Sequence, residues 1–280
     1  MPETLRDECV PFRRRLTSYG VSFEIRASSA SLLDEVCRAL PPFTRVSTAK
    51  RVARRFAIRS MDTPCACGRR HSTALIRNGA QLVPSMQGDA AALDALRIWT
   101  KHFVSTRMRR ALCVHAGVVA IGHRGVIIPG TSMSGKTTLT AALVRAGATY
   151  YSDEYALVGA DGLIRPFPQQ LGMRRPGSAE QVATDARALG AVIGSAPLTA
   201  RLVIFSRFVE GARWTPRRMS KAETVMALLG HTVAGTRRPE RTMTWLTRAV
   251  AEAVGVEGDR GDADTTARLI LEQVEALQAV

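Results

Sequence analysis

Gly130-Thr131-Ser132-Met133-Ser134-Gly135-Lys136-Thr137 fits the pattern G-x-x-x-x-G-K-[ST] at every fixed position. Each fixed residue answers a physical demand. The glycines let the backbone turn so that successive N–H groups converge on phosphate oxygens. The helix that opens at Lys136 adds the partial positive charge of its N-terminus to the same anion. Lys136 can then reach the β- and γ-phosphates, and the Thr137 hydroxyl is of the kind that ligands Mg²⁺, with Thr138 next on the first helical turn. The flanks agree. The apolar run Gly125 to Ile128 (GVII) enters the loop as a strand, and TTLTAALVRAG leaves it as a helix reaching Arg145. Strand, glycine-rich turn and helix in that order predict an α/β fold with a P-loop.

Downstream, Thr149 to Ser152 reads as a strand, and Tyr151-Ser-Asp-Glu-Tyr155 supplies Asp153 and Glu154 at its end. A chain returning across the sheet brings acids there beside bound phosphates. Both are candidate metal ligands with Thr137. Adjacent strand residues face opposite ways, so one acid enters the site directly, and Asp153 is preferred. Asp161-Gly162, between Ala156-Leu-Val and Leu163-Ile, signals a hairpin. Arg201 to Ser206 (RLVIFS) is a buried strand, and helical patterns follow near 221–229, 240–253 and 265–277. The stretch 174–197, rich in small residues and proline, reads as a mobile connection or short helices.

Upstream, Cys113 to Ile121 (CVHAGVVAI) is another apolar strand. Residues 1 to about 85 form a small α+β region: Val21 to Arg26 and Arg54 to Ser60 alternate as strands, Ser31 to Leu40 has helical spacing, and Ser72 to Arg77 is a further strand. Asp89 to Arg107 is one amphipathic helix, with Leu93, Leu96, Ile98, Trp99 and Phe103 on its apolar side. The expected division is a lobe with its connecting helix at 1–108 and a P-loop domain at 109–280.

Composition sets the bounds. The chain has 280 residues, 46% of them hydrophobic, and a formal net charge of +15, so it can bury a sizeable core and is not disordered. No apolar run approaches the ~20 residues of a membrane span, and the polar start is no signal peptide, which predicts a soluble, cytoplasmic protein. The odd count of five cysteines, without framework spacing, is consistent with a reducing compartment. Nearly all positive charge is arginine, since the only lysines are Lys50, Lys101, Lys136 and Lys221. That suits an anionic ligand or an acidic partner, or reflects a GC-rich genome.

His115-Ala-Gly-Val followed by GVIIPGTSMSGKTTLTAALVRAGATYYSDE resembles the catalytic domain of HPr serine kinase/phosphorylase. That family has a His-Gly strand, a hairpin, a phosphate loop, one helix, an Arg-Gly turn and a strand ending in paired aspartates. The order holds here, including the seventeen residues from Lys136 to Asp153. The sequence is still more similar to the shorter HPr-kinase-related proteins found beside natural-product and peptide-modification genes. The likeness covers roughly residues 111 to 170 and continues in layout through the C-terminal helices. It implies a fold similar to the nucleotide domain of phosphoenolpyruvate carboxykinase, ATP and Mg²⁺ as cofactors, Asp153 as the base that deprotonates an acceptor hydroxyl, and His115 lining the site. Two departures stand out. Glu154 replaces the second aspartate. The downstream Glu-Xaa-Arg-Gly-Xaa-Gly signature is missing, with Arg165-Pro-Phe-Pro-Gln-Gln and Met173-Arg-Arg-Pro-Gly in its place. HPr recognition, phosphorolysis and the family's hexamer are therefore not carried over, although a homo-oligomer stays an option.

Among arginines that could steady transferred phosphate, Arg174, Arg175 and Arg207 are nearest in the layout, and Arg207, just after RLVIFS, is preferred. Cys65-Ala-Cys67-Gly-Arg-Arg-His71 lacks zinc-site spacing and reads as a turn with incidental thiols. The clusters Arg13 to Arg15, Arg51 to Arg55 and Arg107 to Arg110 lack interleaved aromatics and read as a solvated basic face, or as a dock for an acidic peptide if they gather at the cleft. The expectation is a kinase acting on a hydroxyl, either serine of a peptide or protein or a small-molecule alcohol. A nucleotide-binding regulator without transfer activity and a nucleic-acid-binding NTPase are the alternatives from other classes.

Overall fold

A computed structural model describes residues 9–63, 74–85, 88–131, 134–174 and 181–276. The candidates Ser132, Met133, Cys65, Cys67, His71 and Arg175 lie outside them. The chain divides into two units, Met1–Arg109 and Arg110–Val280, and both mix helices with sheet. Among the described residues no helix is long and apolar enough to cross a membrane.

The first unit contains strands β1 (Phe12–Ser18), β2 (Val21–Ala27), β3 (Arg45–Val46), β4 (Arg55–Arg59), β5 (Ala74–Asn78) and β6 (Gln81–Ser85), with helices α1 (Ala30–Arg38) and α2 (Asp89–Arg107). They form one sheet in the order β3-β1-β2-β4-β5-β6, antiparallel except for the β2–β4 pair. Ser29 caps α1 by accepting from the Leu32 N–H. Phe23 and Phe56 meet edge to face, as do Phe56 and Phe103 of α2. The buried stripe of α2 runs through Ala92, Leu96, Thr100 and Phe103, while Ile98, expected inside, is exposed. Two residues past Leu96, it projects to the opposite side of the helix. Glu24 is buried, and Arg26 (2.8 Å), Arg15 (3.3 Å) and Arg55 (3.5 Å) surround it. Burial pushes its carboxyl up, but the hydrogen bonds from Arg26 and Arg15 outweigh this and hold it below the usual range. Cys9 is disulfide-bonded, a pairing that the cysteine spacing does not announce, whereas Cys37 and Cys113 are free thiols.

The second unit is built on β7 (Ala111–Ile121), β8 (Arg124–Pro129), α3 (Lys136–Arg145), β9 (Thr149–Ser152), β10 (Tyr155–Gly159), β11 (Ile164–Arg165), β12 (Leu171–Arg174), β13 (Gln181–Thr184), β14 (Thr199–Phe208), β15 (Arg217–Met219), α4 (Lys221–Gly230), α5 (Pro239–Ala249), β16 (Val254–Arg260) and α6 (Ala263–Ala276). Its main sheet runs β11-β10-β7-β8-β14-β16-β15, with β9 also pairing β7. Strands β8, β14 and β16 are mutually parallel, so their carboxyl ends open at one end of the sheet, where ligands bind in open α/β folds.

Alternation along these strands builds two cores. Val126, Ile128, Leu202, Ile204 and Val256 pack with Leu139 and Leu143 of α3 and Ile270 of α6. Ile127 and Val203 pack with Val225 and Leu228 of α4 and Leu246 of α5. Each fully buried aliphatic side chain contributes about 1.5–3 kcal/mol, so the loop after β8 sits on a stiff base. In the 174–197 stretch, β13 pairs with β12 and a short 3₁₀ helix spans Ala186–Leu189. Helix α5 ends at Ala249, not at 253: the N–H groups of Ala251 and Ala253 bond three residues back, to Arg248 (3.2 Å) and Val250 (3.1 Å), and the Lys221 ammonium takes the carbonyls of Val250 (2.8 Å), Ala251 (2.9 Å) and Ala253.

Candidate active site

The glycine-rich loop joins β8 to α3. Gly135 stands at φ +81°, a left-handed conformation that only glycine takes without strain, and a Cβ there would collide with the Arg260 guanidinium. A Cβ on Gly130 would collide with Ser134. Gly135 is also the N-cap of α3 and offers no side chain to the first-turn N–H groups. Thr131 and Thr138 are exposed, and Ser134 is half-buried.

Two residues of β7 shape the entry of α3. His115 and Gly117 are two apart and share the strand face toward the helix. A Cβ on Gly117 would collide with Thr140 Oγ1 and lie 3.5 Å from Lys136 Cγ, so the glycine allows the first turn to lie on the strand. His115 then meets the Lys136 terminus: Nζ and Nε2 are 2.9 Å apart. An ammonium only donates, so this imidazole nitrogen accepts. Lys136 is 8% exposed, held low over the loop by that contact. The His115 backbone N–H donates to the His231 carbonyl at 2.8 Å, which brings the end of α4 to the same place. Burial, and then the charge of Lys136, hold the His231 imidazole below its ordinary pKa. No sequence motif marks His231.

Asp153 follows β9, where Ser152 Oγ accepts from the N–H groups of Glu154 (3.1 Å) and Tyr155 (3.0 Å) and fixes the turn. Thr137 Oγ1 donates to Asp153 Oδ2 at 2.7 Å. Asp153 is 8% exposed, and burial pushes its carboxyl up to about 6 against the opposing hydrogen bond from Thr137 and the charge of Lys136. Glu154 is half-buried and close enough for its charge to raise Asp153 further. Lys136, Thr137, His115 and Asp153 thus converge at the N-terminus of α3.

Arg207 does not join them. It pairs with Asp259 at 2.9 Å and is exposed. Its neighbours Phe208 and Arg260, next along the two strands, face the loop instead: Arg260 is 2% exposed and donates from Nη2 to the Gly135 carbonyl at 2.8 Å.

No protein-family model and no curated protein matches the chain. A solved structure is similar. The Hpr(Ser) kinase/phosphatase from Coxiella burnetii aligns with 60% of this chain and 90% of its own, at 17% identity and a TM-score of 0.32.

A magnesium ion fits the donors present. Asp153 Oδ1 is buried without a hydrogen-bond partner among the described residues, and the Thr137 hydroxyl lies on the other oxygen of that carboxylate. These are hard oxygen donors of the kind Mg²⁺ takes, usually one or two carboxylates completed by substrate phosphates and water. Among the described residues no group of three or more His, Cys, Asp or Glu could hold a metal. The protein share of such a site is therefore small.

Proposed function

We propose that the protein is an ATP- and Mg²⁺-dependent kinase that transfers the γ-phosphoryl group to a hydroxyl, serine of a peptide or protein being the preferred acceptor. The observation that carries this reading is the part-buried Thr137–Asp153 contact beside Lys136 at the N-terminus of α3. Loop N–H groups and Lys136 hold the triphosphate. Thr137 and Asp153 would supply the protein oxygens for a Mg²⁺ ion, which would offset the phosphate charge. Asp153 takes the proton as the acceptor oxygen bonds to phosphorus and the bond to the β-phosphate oxygen breaks, releasing ADP. Positioning and electrostatics supply most of the rate in such transfers.

The test is incubation with γ-labelled ATP and Mg²⁺ against serine peptides and small alcohols. Label should move to an acceptor with wild type and not with Asp153→Asn. Binding of ATP with no transfer to any hydroxyl would favour the nucleotide-binding regulator.

A further inference from the structure

Phe208 is 55% exposed, at the end of a strand face on which Leu202 and Ile204 are fully buried and Ser206 is half-buried. Its place accounts for that. Val203 of β14 pairs with Ile127 of β8, and β8 stops at Pro129, so β14 runs on beside the glycine-rich loop to Phe208. Phe208 Cβ lies 3.7 Å from where a Cβ on Gly135 would be. In register with it on β16 is Arg260, whose guanidinium sits 5.5 Å from the ring centroid. The same guanidinium binds the Gly135 carbonyl, so the buried arginine links the loop to the ring. Arg260 is tied down a second time, from Nη1 to the Gly261 carbonyl at 3.1 Å.

An aromatic ring left open at the rim of a phosphate site suits one partner above others. In a nucleotide the ribose separates the base from the phosphates, so a base platform belongs beside the phosphate loop and not within it. Arg260 backs the ring and more than half of the side chain stays open, which leaves room for a planar partner to stack. Stacking of this kind tolerates any base, because every base presents a π-face.

We infer that Phe208, backed by Arg260, is the platform on which the base of the bound nucleotide stacks. This rests on the proposed phosphate role of the adjacent loop and assigns the nucleoside half of the same site. Phe208 makes no contact with the phosphates in this arrangement, so its effect should divide nucleotides from bare phosphates.

Calorimetry on the full chain with Mg²⁺ compares ADP with inorganic pyrophosphate, for wild type, Phe208→Ala and Phe208→Trp. Phe208→Ala should weaken ADP by about tenfold and leave pyrophosphate within about twofold. Phe208→Trp should keep ADP affinity and show quenching by ADP, beyond that of wild type, that pyrophosphate does not cause. Equal losses for both ligands in Phe208→Ala, or no loss for ADP, would overturn the platform while leaving the phosphate loop intact. If wild type binds neither ligand, the reading of the loop fails and the platform fails with it.

Discussion

Thr137 donates its hydroxyl to one oxygen of Asp153 at 2.7 Å, while the other oxygen of that carboxylate is buried with no hydrogen-bond partner among the described residues. Burial makes this carboxylate costly to keep charged and raises its pKa, against the hydrogen bond from Thr137 and the charge of Lys136. Burial of an acid at such a cost is the pattern expected of a functional site, and it predicts that a neutral residue there would be more stable.

That cost can be measured. Because the folded-state pKa of Asp153 is raised from 3.8 to about 6, the native state holds the proton more tightly than the unfolded one. Stability therefore falls as pH rises between those values, and the full cost, roughly 3 kcal/mol at most, is present above them. Asp153→Asn should raise Tm at pH 8, with the gain shrinking towards pH 4. Equal Tm values for the two proteins at pH 8 would contradict the assignment.

With Asp153 as the proposed base, the same titration should govern kcat/KM, which reports the groups of the free enzyme. A base must be unprotonated, so kcat/KM should drop as pH falls through about 6. Asp153→Asn should remove this limb together with at least ~10²-fold of the rate, the lower end of what a positioned general base contributes. A pH profile flat down to 5 in wild type would argue against Asp153 as the base.

Gly117 of β7 lies against α3, where an added Cβ would strike Thr140. Gly117→Ala should destabilise by about 1–3 kcal/mol through overpacking and weaken nucleotide binding by shifting Lys136. Since Thr140 Oγ1 is the atom that Cβ would strike, adding Thr140→Ala should recover much of both losses. Thermal melts and calorimetry on the single and double variants decide it.

The two arginines at the strand ends should behave differently. Arg207→Ala removes an exposed pair with Asp259 and should leave Tm and turnover unchanged. Arg260→Lys keeps the charge but cannot span the Gly135 and Gly261 carbonyls with one planar group, and should lower Tm and nucleotide affinity together. The reverse ranking would return the role to Arg207.

How far the sequence is legible depends on which force shapes each segment. Around α3 the loop motif, the helical period and the apolar strands agree, and the helix spans Lys136–Arg145 as its pattern requires. The spacing from Lys136 to Asp153 likewise reads through, because one helix and one short strand fix the return. Strand β16 is different. Val254-Gly-Val-Glu-Gly-Asp-Arg260 carries two glycines and two acids, poor strand formers, yet tertiary packing demands those glycines. A Cβ on Gly255 would collide with Thr224, and one on Gly258 would lie 3.0 Å from Pro216 Cα. With the strand hidden, Arg260 at its end was hidden too, and Arg207 stood out in its place. Strand β1 was masked otherwise: its arginines read as a cluster, although they alternate, Arg14 reaching Asp34 and Arg15 reaching Glu24. His231 arrives through the turn after α4, which no local pattern foretells.

The central claim is that the loop at 130–137 holds a nucleoside triphosphate with Mg²⁺, and calorimetry with ATP tests it most directly. Wild type should bind ATP more tightly with Mg²⁺ than without it, Lys136→Ala should lose binding by at least tenfold, and Asp153→Asn should retain it with a smaller Mg²⁺ effect. Absence of ATP binding by wild type, or binding that Lys136→Ala leaves intact, would contradict the account.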